Sequence, residues 1–274
     1  MGIPEPSTSA GRAGLAALLA EPRSAVVALD FDGTLAPIVA DPDQARAHPA
    51  AVAALEALAP LLGAVVVVTG RPAAVAVEYG GFAGLERFTV LGQYGAERWE
   101  AGVLTAPPPP PGVAAVREQL PVLLAESGAP DGTWIEDKGR ALAVHTRRTA
   151  DPQRVLEQLR APLEQLAAAH GLLVEPGRYV LELRPPGVDK GGALTAFLAE
   201  RPPGPVLYAG DDLGDLPAYA ALEQRRAEGH PAVLVCSSAT TGEHPVTELA
   251  DRADLLVAGP VGVAELLAAL AVEL

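Results

Sequence analysis

The sequence predicts an α/β fold, a doubly wound parallel sheet with a smaller α+β domain inserted into it, and three observations carry that reading. Apolar, largely β-branched runs at residues 26–29, 65–68 and 206–209 have the continuous hydrophobicity of strands buried on both faces. Alanine-rich helical stretches alternate with them, as at residues 50–62, in the pattern of strand–helix–strand units. After the proline run at residues 107–111 the strands become paired and half polar, as in an antiparallel insert. The expected division is a core of residues 1–107 and 188–274 around an α+β insert of residues 108–187.

The elements follow in order. An Ala/Leu stretch at residues 14–20 is too short and poorly flanked for a secretory signal and predicts a helix leading into the first strand. That strand closes on Asp30-Phe31-Asp32-Gly33-Thr34, and the second on Thr69-Gly70-Arg71-Pro72. The proline run predicts a stiff polyproline II connector. Residues 133–138 and 141–147 read as a hairpin about Gly139-Arg140. Asp151-Pro152 opens a helix, with Asp as N-cap and Pro in the first turn; it runs to about His170, with a kink expected at Pro162. Residues 172–175 and 178–183 form a further pair about Pro176-Gly177. Asp189-Lys190-Gly191-Gly192 then precedes a helix, and the third core strand closes on Gly210-Asp211-Asp212-Leu213-Gly214-Asp215.

These endings carry chemistry. Two carboxylates two residues apart at a strand end supply a nucleophile toward phosphorus and a general acid/base. Loop amides and a threonine hydroxyl suit phosphoryl oxygens. Lys190 offers a fixed cation, and a carboxylate cluster offers the hard oxygens that Mg²⁺ prefers. Phosphoryl transfer needs mainly such positioning and charge stabilisation. The order Asp-x-Asp-Gly-Thr, Thr-Gly-Arg, Lys-Gly, Gly-Asp-Asp-x-x-Asp, spanning Asp30 to Asp215, resembles the haloacid dehalogenase superfamily of aspartate-nucleophile phosphatases. The resemblance implies a Rossmann-like core, Asp30 as nucleophile and Asp32 as acid/base, with Thr69 and Lys190 on the phosphoryl group. It also implies Mg²⁺ on Asp30, Asp211 and the backbone carbonyl of Asp32. Asp212 would reach a metal-bound water, and Asp215 would stand behind the ligands.

In the insert, residues two apart on a strand share a face. Glu136 with Lys138, His145 with Arg147, and Glu182 with Arg184 therefore make a polar face, while Leu142, Val144, Leu181 and Leu183 turn toward the helices. Acid/base pairs on three strands suit a polyhydroxylated ligand. Among 20 basic residues only Lys138 and Lys190 are lysines, and both fall in these segments. Glu136-Asp137-Lys138-Gly139, Ala143-Val144-His145-Thr146-Arg147, Glu182-Leu183-Arg184-Pro185 and the earlier Gly92-Gln93-Tyr94-Gly95-Ala96-Glu97 resemble trehalose-6-phosphate phosphatases. That resemblance implies hydrolysis of trehalose 6-phosphate to trehalose and phosphate, the last step of trehalose biosynthesis, with Glu136, Lys138 and Glu182 on the sugar. His145 and Arg147 are further candidates, and Arg71 either contacts substrate or braces its loop. Two departures stand out: Gly214 and Leu216 replace the family's Thr and Glu, and Tyr94 stands where His is frequent.

Composition narrows the partners. With 274 residues, 49% of them hydrophobic, the chain can bury a substantial core. A net charge of −14 argues against a nucleic-acid or membrane-surface binder, so an anionic substrate must be attracted locally. No apolar run reaches membrane-spanning length, and the single Cys236 forms no internal disulfide. A cytoplasmic monomer acting on a small sugar phosphate is expected. Three alternatives stay open: a phosphatase for sucrose or glucosylglycerol phosphate, a phosphomutase, and a catalytically silent sugar-phosphate sensor.

Overall fold

Parallel strands buried on both faces require helices on both sides. The computed structural model, which describes residues 2–39, 41–177, 179–238 and 246–274, is built that way. The chain divides into two units, Met1–Ala106 with Asp189–Leu274, and Pro107–Val188. The strands are β1 (Val26–Leu29), β2 (Ala64–Val68), β3 (Phe88–Gly92), β4 (Glu97–Glu100), β5 (Val103–Thr105), β6 (Trp134–Asp137), β7 (Leu142–His145), β8 (Leu173–Gly177), β9 (Val180–Arg184), β10 (Val206–Gly210), β11 (Ala232–Ser238) and β12 (Leu255–Ala258). The helices are α1 (Ser9–Ala20), α2 (Pro49–Leu58), α3 (Ala73–Gly80), α4 (Pro111–Glu126), α5 (Pro152–Ala169), α6 (Lys190–Ala199), α7 (Leu216–Ala227), α8 (Thr247–Ala250) and α9 (Gly259–Glu273). Among the described residues, no helix is long and apolar enough to cross a membrane.

The larger unit holds an eight-stranded sheet in the order β12-β11-β10-β1-β2-β3-β4-β5. It is parallel from β12 to β3 and antiparallel from β3 to β5. Alternate residues of one strand serve opposite cores. Val27, Leu29, Val65, Val67 and Leu207 pack with Leu18, Leu55 and Leu267 of α1, α2 and α9. Val26, Ala28, Val66, Val68 and Tyr208 pack with Leu194 and Leu222 of α6 and α7. The predicted helix at residues 50–62 ends earlier, at Leu58, and finishes as a tight turn over Ala59–Leu61.

The smaller unit is an antiparallel sheet in the order β6-β7-β9-β8, with α4 and α5 packed through one core. Leu142, Val144, Leu181 and Leu183 are buried there, as the period-2 reading required. One expectation needs correction. Pro176 and Gly177 do not form a turn: they lie inside β8, opposite Leu181 and Val180. β8 is an edge strand, where a proline without an N–H is tolerated, so the chain reverses further on, at Tyr179 with φ 58°. The predicted start of the next strand, residue 178, lies outside the described residues. Pro162 lies within one 18-residue helix, α5, whose Val155, Leu159, Leu163 and Ala167 are buried on one stripe.

Candidate active site

Three neighbouring parallel strands, β10, β1 and β2, are followed by Asp211, Asp30 and Thr69, so the three motifs meet at one sheet edge. The Asp30 N–H donates to the Ala209 carbonyl (2.9 Å), continuing the ladder up to the carboxylate. Gly33 follows at φ +78°, and a Cβ there would stand 1.9 Å from Asp211 Oδ2, so glycine lets this loop lie against that carboxylate. From β11 the buried Ser237 hydroxyl donates to the Gly33 carbonyl (2.7 Å).

Lys190 begins α6, whose cap Asp189 accepts from the Gly192 N–H (2.7 Å). The Lys190 Nζ lies 2.8 Å from Asp30 Oδ1 and 2.7 Å from Asp215 Oδ1, and all three residues are buried. Asp215 Oδ1 also accepts from the Tyr208 hydroxyl (2.6 Å). Its Oδ2 accepts from the Asp211 and Asp212 N–H groups (2.9 and 3.1 Å), so four donors fix it. Asp30, Asp211 and Asp215 bring oxygens within 4.8 Å of one another. Asp211 Oδ1 is buried with no hydrogen-bond partner. Burial, with Lys190 opposing and the neighbouring carboxylates reinforcing, holds the Asp30 carboxyl well above its usual range. Burial and the same crowding raise Asp211. Burial disfavours the Lys190 ammonium, but Asp215 and Asp30 outweigh it and push its pKa well up. Crowded oxygens with one unpartnered, buried lone-pair site fit a hard divalent cation. Asp212 stands outside this group, exposed, with its Oδ1 accepting from the Gly214 N–H (2.9 Å).

The Asp32 side chain takes another direction. Arg71 Nε donates to its Oδ2 and Nη2 to its Oδ1, both at 2.7 Å. Thr69 is buried and its hydroxyl oxygen accepts from the Arg71 N–H (3.1 Å). Gln93 and Tyr94 brace this loop from a left-handed turn, φ 47° and 57°. Their N–H groups donate to the carbonyls of Arg71 (2.8 Å) and Thr69 (2.9 Å). Glu97 in turn accepts from the Ala73 N–H at the start of α3 (2.8 Å). Sequence reasoning missed these bracing roles and that of Tyr208, whose signal was a lone hydroxyl in an otherwise aliphatic strand.

In the smaller unit, the register sets Glu136 opposite Ala143 and Ala143 opposite Glu182. Lys138 Nζ lies 2.6 Å from Glu182 Oε2, His145 Nε2 lies 2.8 Å from Glu136 Oε2, and Arg184 Nη2 lies 3.0 Å from Glu175 Oε2. The charges therefore pair across strands. The Trp134 ring stacks on His145 (centroids 4.4 Å apart, 6° between planes), and the Arg148 guanidinium lies over the indole at 4.4 Å. Arg147 falls in the turn after β7, so it does not share a strand face with His145.

Comparison with known proteins places the chain among relatives of known kind. A family model described as trehalose-phosphatase matches residues 28–254. The trehalose-6-phosphate phosphatase of Escherichia coli K12 is 32% identical over 201 residues, 71% of this chain and 72% of that protein. An uncharacterized glycosyl hydrolase of Mycobacterium tuberculosis is 38% identical over 214 residues, 73% of this chain, and the match spans only 15% of that longer protein. The C-terminal domain of the C. albicans trehalose-6-phosphate phosphatase shares the fold, with TM-score 0.73 at 21% identity over 99% of this chain and 100% of that one. A haloacid dehalogenase-like hydrolase from Bacteroides thetaiotaomicron also shares the fold, with TM-score 0.56 at 17% identity over 88% of this chain and 97% of that one. With the match covering most of its length, the chain belongs to the trehalose-phosphatase family.

Proposed function

We propose that the chain is a Mg²⁺-dependent phosphatase that hydrolyses trehalose 6-phosphate to trehalose and phosphate through an aspartyl-phosphate intermediate. The observation that carries this reading is the buried Asp30–Lys190–Asp215 chain of ion pairs beside Asp211 at the sheet edge. An Asp30 oxygen attacks phosphorus, and the bond from phosphorus to the sugar oxygen breaks with its electron pair on that oxygen. Asp32 gives the departing oxygen its proton. Water then attacks the aspartyl-phosphate, returns a proton to Asp32, and Asp30 leaves as a carboxylate. Lys190, Thr69 and the loop amides hold charge on the transferring group, and losing one such donor costs about 10²–10³ in rate. Asp30, Asp211 and the Asp32 carbonyl would hold Mg²⁺, with Asp212 and Asp215 supporting them; the ion would offset negative charge where nucleophile and phosphate meet.

In this reading the polar face of the smaller unit supplies sugar selectivity through Glu136, Lys138 and Glu182, with His145 and Arg147 beside them. Carboxylates already paired with an ammonium and an imidazole keep acceptor capacity for sugar hydroxyls. The family match and the E. coli relative's substrate favour the trehalose ester. The test is phosphate release with Mg²⁺ across a panel that includes trehalose 6-phosphate, sucrose 6-phosphate and glucose 6-phosphate. Turnover concentrated on the trehalose ester and abolished by Asp30→Asn is expected. Equal rates across the panel would remove the substrate assignment, and turnover by a clean Asp30→Asn preparation would remove the nucleophile.

A further inference from the structure

We infer that Arg71 is the positioning residue of Asp32, a fixed fork that sets the orientation of the acid/base carboxylate; the inference rests on the phosphatase reading above. Arg71 donates to both Asp32 oxygens at 2.7 Å, through Nε and Nη2. That two-point geometry is one that a lysine cannot reproduce. The two partners differ in freedom. Arg71 has a side chain 13% exposed, against 40% for Asp32.

The arginine is anchored on several sides. Its Nη2 also donates to the Pro42 carbonyl (3.0 Å). Its guanidinium lies 5.4 Å from the Tyr79 ring centre and 5.6 Å from that of Phe31. Its own N–H and carbonyl are tied to Thr69 Oγ1 and the Gln93 N–H (3.1 and 2.8 Å). The arginine is thus the fixed member and the carboxylate the movable one. With both oxygens engaged, Asp32 turns toward a substrate only by leaving the fork, and the fork defines the position to which it returns between turnovers. A guanidinium whose Nε and Nη2 are already given to a carboxylate and a carbonyl is poorly placed to grip a phosphate as well. Of the two roles that the sequence left open for Arg71, this geometry favours the brace.

A misplacement of about 1 Å at a reacting group costs roughly 10²-fold. Arg71→Gln is therefore expected to lower kcat by about 10–100-fold on trehalose 6-phosphate, with KM changed by less than about threefold. Arg71→Lys, which keeps the charge and loses the fork, should show most of the same loss and guards against a folding artefact, checked by thermal melting. The decisive measurement is a double-mutant cycle in kcat with Asp32→Ala, read on 4-nitrophenyl phosphate so that residual turnover stays measurable. In the Asp32→Ala background, Arg71→Gln should cost nothing further. Losses that multiply, a raised KM with intact kcat, or wild-type behaviour of Arg71→Lys would each overturn the positioning role while leaving the phosphatase reading standing. A wild-type chain silent on both esters with Mg²⁺ present would overturn that reading, and this inference with it.

Discussion

Glu136 and Glu182 flank Ala143 on one sheet face, Glu136 already paired with the His145 imidazole and Glu182 with the Lys138 ammonium. Removing a charged hydrogen-bond partner costs about 1.5–3 kcal/mol. Glu136→Ala should therefore lower kcat/KM on trehalose 6-phosphate by roughly 10–100-fold, while an aryl phosphate, which lacks the sugar, loses less than about threefold. Equal losses would mean that this face does not read the disaccharide. Cys236 makes an opposite case. Burial, with Asp211 and Asp215 adding to it, pushes its thiol up to about 11, so almost no thiolate exists at neutral pH. Iodoacetamide at pH 7.5 should leave the native protein unlabelled and modify it once urea unfolds it; rapid native labelling would contradict that burial. At this scale the sequence displayed Asp30, Thr69, Lys190 and Asp211, because short motifs carry their own spacing. It hid the partners. Lys138 with Glu182 and Asp32 with Arg71 meet only through a strand register and a loop path that local spacing does not encode.

Two glycines show how an element depends on what lies beside it. Gly33 and Gly139 share a left-handed backbone, φ +78° and +80°. A Cβ on Gly33 would stand 1.9 Å from Asp211 Oδ2, whereas one on Gly139 meets nothing within 4 Å. Gly139→Ala should cost only the left-handed strain, about 1–2 kcal/mol. Gly33→Ala should cost that and the displacement of Asp211, and should weaken Mg²⁺-dependent turnover as well. Urea midpoints and Mg²⁺ titrations of the two variants check this; a similar midpoint shift and unchanged turnover in both would show that the loop does not press on the carboxylate. Element types were legible along most of the chain, because each strand and helix carries its own period. Ends were less so. The chain reversal after β8 was misplaced because Pro-Gly favours a turn locally, while an edge strand accommodates both residues.

The doubly wound sheet was legible because a parallel strand buried on both faces advertises itself as an unbroken apolar run. Its order was not, since β10 lies beside β1 through a crossover that only packing decides. The two units are unequal, yet each owns a core. Residues Pro107–Val188 bury Val113, Val116, Leu120, Leu142, Val144, Leu156, Leu159, Leu163, Leu181 and Leu183 among themselves. A domain of this size is near the lower limit for folding alone, with about 0.05–0.15 kcal/mol of stability per residue, or a total of roughly 4–12 kcal/mol. Expressed by itself, this unit should therefore fold, because its sheet and both covering helices come from one continuous segment and no core residue in that cluster is borrowed. Far-UV circular dichroism should show mixed helix and strand, and heating should give one cooperative transition. A disordered spectrum or a sloping melt would mean that burial inside the segment does not offset its chain entropy, and that the insert depends on the core for its fold as well as for its chemistry.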